Sequence, residues 1–232
     1  STIVLDGYKN VTITDCDIQQ TDYTVFSFSN AASNNGNINI SNNKIGTSAR
    51  LYKHAIVITS IQENIMISNN TVIVHMDKST GYGIFDISCE KHVTIIGNIV
   101  KNNGDPDIGA HSAVYAIVSE SLTIAQNQVH QILGGIQARK KQDVSIADGG
   151  NKFVIANNLV FRYTSAFNHI VLKVEANGVV ISGNLLINPG IATSAAIWTD
   201  MQNGIVVGNI GKGLNSVPSN KNNVAANNKE LL

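Results

Sequence analysis

One short phrase returns eight times along this 232-residue chain. It reads "VTITDCDIQ" from Val11, "INISNNKIG" from Ile38, "IMISNNTVI" from Ile65, "VTIIGNIVK" from Val93, "LTIAQNQVH" from Leu122, "FVIANNLVF" from Phe153, "VVISGNLLI" from Val179 and a shortened "IVVGNIGKG" from Ile205. Successive starts lie 26 to 31 residues apart. A repeat of this period running from end to end dictates a stack of identical units rather than separate globular domains. We therefore expect one domain over residues 1–232, the core or a fragment of a larger protein, with 211–232 as a degenerate last coil or tail.

Each unit carries a second apolar run upstream of the phrase: "YTVFSFS" from Tyr23, "HAIVITS" from His54, "YGIFDIS" from Tyr82, "AVYAIVS" from Ala113, "GGIQARK" from Gly134, "HIVLKVE" from His169 and "AAIWTDM" from Ala195. Most alternate apolar and polar residues with period two, the pattern of half-buried strands. No span is long enough for a crossover helix. Coiling the chain buries every aliphatic row, because each strand then lies on its counterpart one unit earlier, about 4.8 Å away. The expected fold is all-β: a single-stranded parallel β-helix of about seven to eight coils.

Asparagine is the compositional outlier, thirty residues against three prolines. It disfavours strands, yet it sits between two strand-like pieces of every phrase. In a coil these amides fall above one another, and a primary amide has two donors and two acceptor lone pairs to join its neighbours above and below. The expected ladder is Asn43, Asn70, Asn98, Asn127, Asn158 and Asn184, with Cys16 in the first place and Asn209 slipped near the last. Asparagine also tolerates the left-handed conformation of a sharp turn, so the ladder residues themselves are expected to turn the chain.

Formal net charge is zero and charged residues make up 14%, so nothing in the balance points to nucleic acid or an anionic membrane. No stretch approaches the ~18 apolar residues of a membrane span, so membrane insertion is not expected. "STIVLDGYKN" lacks the charged start and long apolar run of a signal peptide. Cys16 and Cys89 lie about three repeats apart at different points of the repeat and are expected to be free thiols. His54, His75, His92 and His130 fall in different turns without metal-ligand spacing and read as surface residues.

The phrases "GIFDISCEKHVTIIGNIV" (83–100), "HAIVITSIQENIMISNNTV" (54–72) and "HIVLKVEANGVVISGNLLI" (169–187) resemble those of the right-handed parallel β-helix superfamily, the pectin-lyase-like fold. The resemblance covers nearly all of residues 3–210. It implies a right-handed coil and a protein that handles polysaccharide: a lyase, a C5-epimerase, a hydrolase or depolymerase, a non-catalytic binding module of tailspike type, or a structural rod. It also implies an extracellular or virion-associated setting, and either a homotrimer or a place within a larger chain. No cofactor is implied beyond a possible Ca2+.

Packed inward positions leave only outward ones for chemistry. Alternation puts Tyr115, Gln137, Arg139, Lys173, Trp198 and Asp200 on one outward line that suits an extended polymer. Trp198, the only tryptophan, offers a flat face for a sugar ring, or else packs under the loop at "LLINPGIATS". Arg139 with Lys140 and Lys141 would pair with uronate carboxylates, or form a solvated edge.

Asp86, Asp105, Asp107, His111 and Tyr115 form a second group, because the 101–111 loop leads from the coil of Asp86 into the strand of Tyr115. Carboxylate, imidazole and phenol are groups that remove and return a proton at C5 of a uronic acid. "YGIFD" followed by "DPD" and His111 is loosely similar to the Tyr, Asp, Pro and His motif of mannuronan epimerases. It departs from that motif in placing Asp107 after Pro106 and His111 four residues later. Alternation leaves open whether Asp86 faces inward. Hydrolysis needs two carboxylates about 5–9.5 Å apart, which Asp105, Asp107 and Asp86 would meet; Asp86 and Asp200, about four coils apart, would not. An extra excursion around "DVSIADGGNK" is expected to form a loop.

Overall fold

The structure, a computed structural model, describes residues 3–6, 10–19, 24–29, 36–46, 54–61, 63–75, 80–89, 91–104, 110–132, 134–140, 152–161, 172–187, 197–199, 201, 203–211 and 223–230. These residues form three parallel sheets. Sheet A has eight strands, from Ile3–Asp6 to Ile197–Thr199. Sheets B and C have nine each, from Val11–Thr14 to Val224–Ala226 and from Asp17–Gln19 to Lys229–Glu230. Every strand but the first and last of each sheet pairs with its counterpart one repeat earlier and one later, so the chain visits A, B and C once per coil. The final coil contributes strands to B and C, and residues 223–230 therefore continue the array instead of trailing from it.

Alternation decides what lies inside. In sheet A, Phe26, Ile56, Phe85, Val114 and Ile136 are successive register partners and all are buried. Sheet B supplies Ile38, Ile65, Val93, Leu122, Phe153 and Val179, and sheet C supplies Ile45, Val72, Val100, Val129, Val160 and Leu186. All of these are at most 2% exposed. Burying each branched side chain is worth roughly 1.5–3 kcal/mol, and the columns make one continuous apolar core.

The corner between B and C holds the ladder, which runs from Asn43 through Asn209 with no slip and continues to Asn228. Asn43, Asn70, Asn98, Asn127, Asn158, Asn184 and Asn209 are each buried. Asn70 is representative: its backbone N–H and its Nδ2 both donate to Oδ1 of Asn98, at 3.0 and 2.9 Å, and Nδ2 donates again to the carbonyl of Ile40 in the preceding coil at 2.9 Å. Both amide hydrogens and the oxygen are thus satisfied inside the protein. Cys16 enters through its backbone, donating to Oδ1 of Asn43 at 3.1 Å.

The left-handed residue is the one before the ladder asparagine. Asp15, Asn42, Asn69, Gln126, Asn157 and Asn227 have φ between 54° and 57°, and Gly97, Gly183 and Gly208 take the same place with φ of 62° to 69°. The doubled asparagine of "SNN" therefore divides the work: the first turns the chain and the second ties the coils. Cys16 and Cys89 are not joined in a disulfide, and the Sγ of Cys89 donates to the carbonyl of Glu63 at 3.1 Å.

Candidate functional site on sheet A

Sheet A offers the outward row. Val57, Asp86, Tyr115, Gln137, Lys173 and Trp198 are successive register partners across six coils. Asp86 lies between the inward Phe85 and Ile87 and is itself half-buried, which settles its direction as outward. Tyr115 and Gln137 alternate in the same way with buried neighbours. Arg139 shares the outward face of the Gln137 strand, as expected, and lies in the neighbouring row. Two residues further along its strand, it pairs with Ile117 on one side and Glu175 on the other. Asp105, Asp107 and Asp200 lie outside the described residues. Of His111, Lys173 and Trp198 only the strand position is described, His111 falling in Ala110–Val118.

His54 is the residue that sequence reasoning missed. It is no surface histidine, since 14% of its side chain is exposed. Its Nδ1 lies 2.7 Å from the carbonyl oxygen of Gly83. A carbonyl can only accept, so Nδ1 carries the hydrogen. The same nitrogen is 3.8 Å from Oδ2 of Asp86. Burial raises the Asp86 carboxyl above its ordinary range, and the nearby His54 partly offsets that rise. Desolvation disfavours the charged form, so burial wins over the pairing here.

Gly83 makes this arrangement possible. The strand pairing shifts register between Thr80 and Gly83. A Cβ at Gly83 would meet the carbonyl of Phe85 and the backbone nitrogen and Cβ of Tyr115 at 2.5 to 2.8 Å. Only a residue without a side chain lets the Asp86 and Tyr115 strands approach this closely while its carbonyl receives His54. In sequence, the signal was the alignment of "HAIVI" with "GIFDI", which sets His54 beside Gly83: Ala55 donates its N–H to Ile84 at 2.9 Å.

Beside the row, the guanidinium carbon of Arg139 stands 5.6 Å from the centre of the Tyr115 ring, a cation–π distance. Its Nε is 3.1 Å from Oε2 of Glu175, an ion pair whose alignment is not that of a hydrogen bond. Glu175 is three strands from Asp86, about 14 Å at strand spacing, beyond the range of a glycosidase carboxylate pair. The described face thus sets one perturbed acid beside an imidazole and a phenol, with a guanidinium one strand further on. Among the described residues no three His, Cys, Asp or Glu side chains gather as metal ligands.

A family model described as a right handed beta helix region matches residues 1–148, more than half of the chain. The chain belongs to the right-handed β-helix family. No curated protein and no solved structure matches it significantly. The β-helix architecture serves carbohydrate-active and structural proteins alike, so any further step rests on the chemistry of the sheet A face.

Proposed function

We propose that this β-helix is a carbohydrate-active protein that receives an extended acidic polysaccharide along the outward face of sheet A. The reading is carried by one observation: Asp86 and Tyr115 are direct register partners, and His54 stands 3.8 Å from Asp86. In this reading Asp86 takes the proton from C5 of a uronate and His54 steadies the carboxylate between turnovers. Tyr115 gives a proton either to the departing glycosidic oxygen, which is elimination, or to the opposite face of C5, which is epimerisation. Arg139 receives the uronate carboxylate, whose neutralisation makes C5 more acidic. Gln137, Lys173, Trp198 and Asp200 hold the flanking sugars. Asp105 and Asp107, ahead of the Tyr115 strand in sequence, and His111, near the start of that strand, add further acid and base groups.

The test is incubation with a panel of uronate and neutral polysaccharides. Three readings are taken: ultraviolet absorbance of unsaturated product, new reducing ends, and solvent isotope exchange at C5. Absorbance or exchange on a uronate polymer, abolished in Asp86→Asn and Tyr115→Phe, is the expected result. Reducing ends without unsaturation would replace proton abstraction by hydrolysis, and silence in all three would remove the catalytic reading.

The Arg139–Glu175 ion pair favours a second reading. A guanidinium already facing a carboxylate is a ready recognition element, and the face would then grip a glycan without changing it. Glycan-array binding that persists without turnover and falls in Trp198→Ala identifies that binding module. Absence of both binding and turnover leaves a structural rod.

A further inference from the structure

Among the described residues, the outward face of sheet B differs from those of sheets A and C. Two rows of nine register partners run the length of this sheet, from Thr12 to Val224 and from Thr14 to Ala226. None of these positions is Asp, Glu, Lys, Arg or His. The first row includes Met66, Thr94, Thr123, Val154, Val180 and Ile205, with Met66 46% and Ile205 44% exposed. The second includes Ile96, Ala125, Ala156 and Ser182, so side chains along the middle of the face are short. The polar members of the two rows, Asn39 and the threonines and serines, are all uncharged, and further polar groups line the borders. One border carries Asn10, Asn37 and Asn64, linked by amide hydrogen bonds, then His92 with Ser121, and then the exposed Lys152. The other is the line of left-handed turn residues, among them Asn69 and Asn157.

We infer that this face docks against the same face of a second copy of the chain. Three physical arguments select that occupant. An uncharged centre inside a polar rim is the anatomy of a protein–protein interface. Nine strands at about 4.8 Å and two outward rows cover roughly 600 Å2, the low end of the about 600–1,000 Å2 per partner of a stable complex. The ridges recur at the strand spacing over the whole length, and a second copy is the partner that carries the same period. Short side chains then let the two sheets settle at the usual ~10 Å separation. A saccharide would find no charged group in either row and no hydrogen-bonding side chain over Val154, Val180 and Ile205, and an anionic membrane would find no cation in either row.

The pairing is independent of the sheet A chemistry, and its test leaves that face untouched. Sedimentation of the whole chain is measured over a concentration series for the wild type, Thr123→Lys, Val154→Lys and a sheet C control, Gln128→Lys. Circular dichroism verifies that each variant keeps its β-helix; any that does not is replaced by Thr94→Lys. A charge at the centre of a buried apolar contact is left unpaired, so either sheet B variant should weaken association at least about a hundredfold. The expected result is a dimer for the wild type and control and a monomer for both sheet B variants. A monomeric wild type at every concentration, or a dimer indifferent to Lys at 123 and 154, overturns the inference.

Discussion

The backbone N–H of Asn98 and its side-chain Nδ2 converge on a single atom, Oδ1 of Asn127, each at 3.0 Å. Nδ2 of Asn98 also donates to the carbonyl of Ile67 in the coil before, at 2.9 Å. Asn98→Ala deletes this junction and strands buried polar groups on both sides. It should cost about 1–3 kcal/mol, visible as a lowered melting temperature. An unchanged melt would show that the coils are held by the apolar columns alone.

The turn ahead of the ladder gives a prediction of opposite sign. Gln126 has φ of 57°, a left-handed conformation that glycine adopts without strain. Gln126→Gly should leave stability unchanged or raise it by up to about 1 kcal/mol, whereas Gln126→Val should lower it by about 1–2 kcal/mol. Equal melts for the glycine and valine variants would contradict a turn role for this position.

Gly97 occupies the same place one coil earlier. A Cβ there would strike Oδ1 of Asn69, and its φ is 69°. Gly97→Ala should therefore destabilise by about 1–2 kcal/mol, and pairing it with Asn69→Gly should recover the steric part of that loss. Non-recovery in a double-mutant cycle would place the strain in the backbone alone.

Asp86 yields a pH dependence. Its folded-state pKa is raised above the ordinary 3.8, chiefly by burial. The folded protein holds this proton to higher pH than the unfolded chain. The favourable contribution is complete below the unfolded pKa and is lost as pH rises through the folded value. At neutral pH the charged Asp86 is a burden, so Asp86→Asn should be the more stable protein there, with the gap closing as pH falls toward about 4. Urea unfolding at several pH values checks this; a gap that is constant with pH would contradict it.

The fold was legible because the repeat and the period-two alternation agree at every coil, so strand identity, stacking direction and the inward columns followed from spacing. The ladder was legible for the same reason, with two physical gaps. In "SNN" the turning residue and the tying residue are the same amino acid, and only the backbone angle separates Asn69 from Asn70. Asn228 was hidden because the last coil in "VAANNKELL" keeps the amide pair but replaces the large aliphatics with alanine, leaving Val224, Ala225 and Ala226 all exposed. The site was less legible. Rows along sheet A depend on which residue stands beside which in the next coil, and only the register shows that Asp86 stands on the Tyr115 row and Arg139 in the row beside it. His54 escaped because its partners, Gly83 and Asp86, belong to the following repeat, 29 and 32 residues away along the chain.

The sheet A account is tested most directly by the emission of Trp198, the only tryptophan in the chain and the last register partner in the row that runs from Val4 through Val57. Fluorescence is followed while the intact protein is titrated with acidic oligosaccharides of increasing length, for the wild type and for Tyr115→Ala. The account predicts a saturable change in the wild type that strengthens as the oligosaccharide grows and weakens at least about tenfold in Tyr115→Ala, three coils from the reporter. Saccharide binding detected by calorimetry with no change in Trp198 emission, or with full affinity retained in Tyr115→Ala, would contradict it.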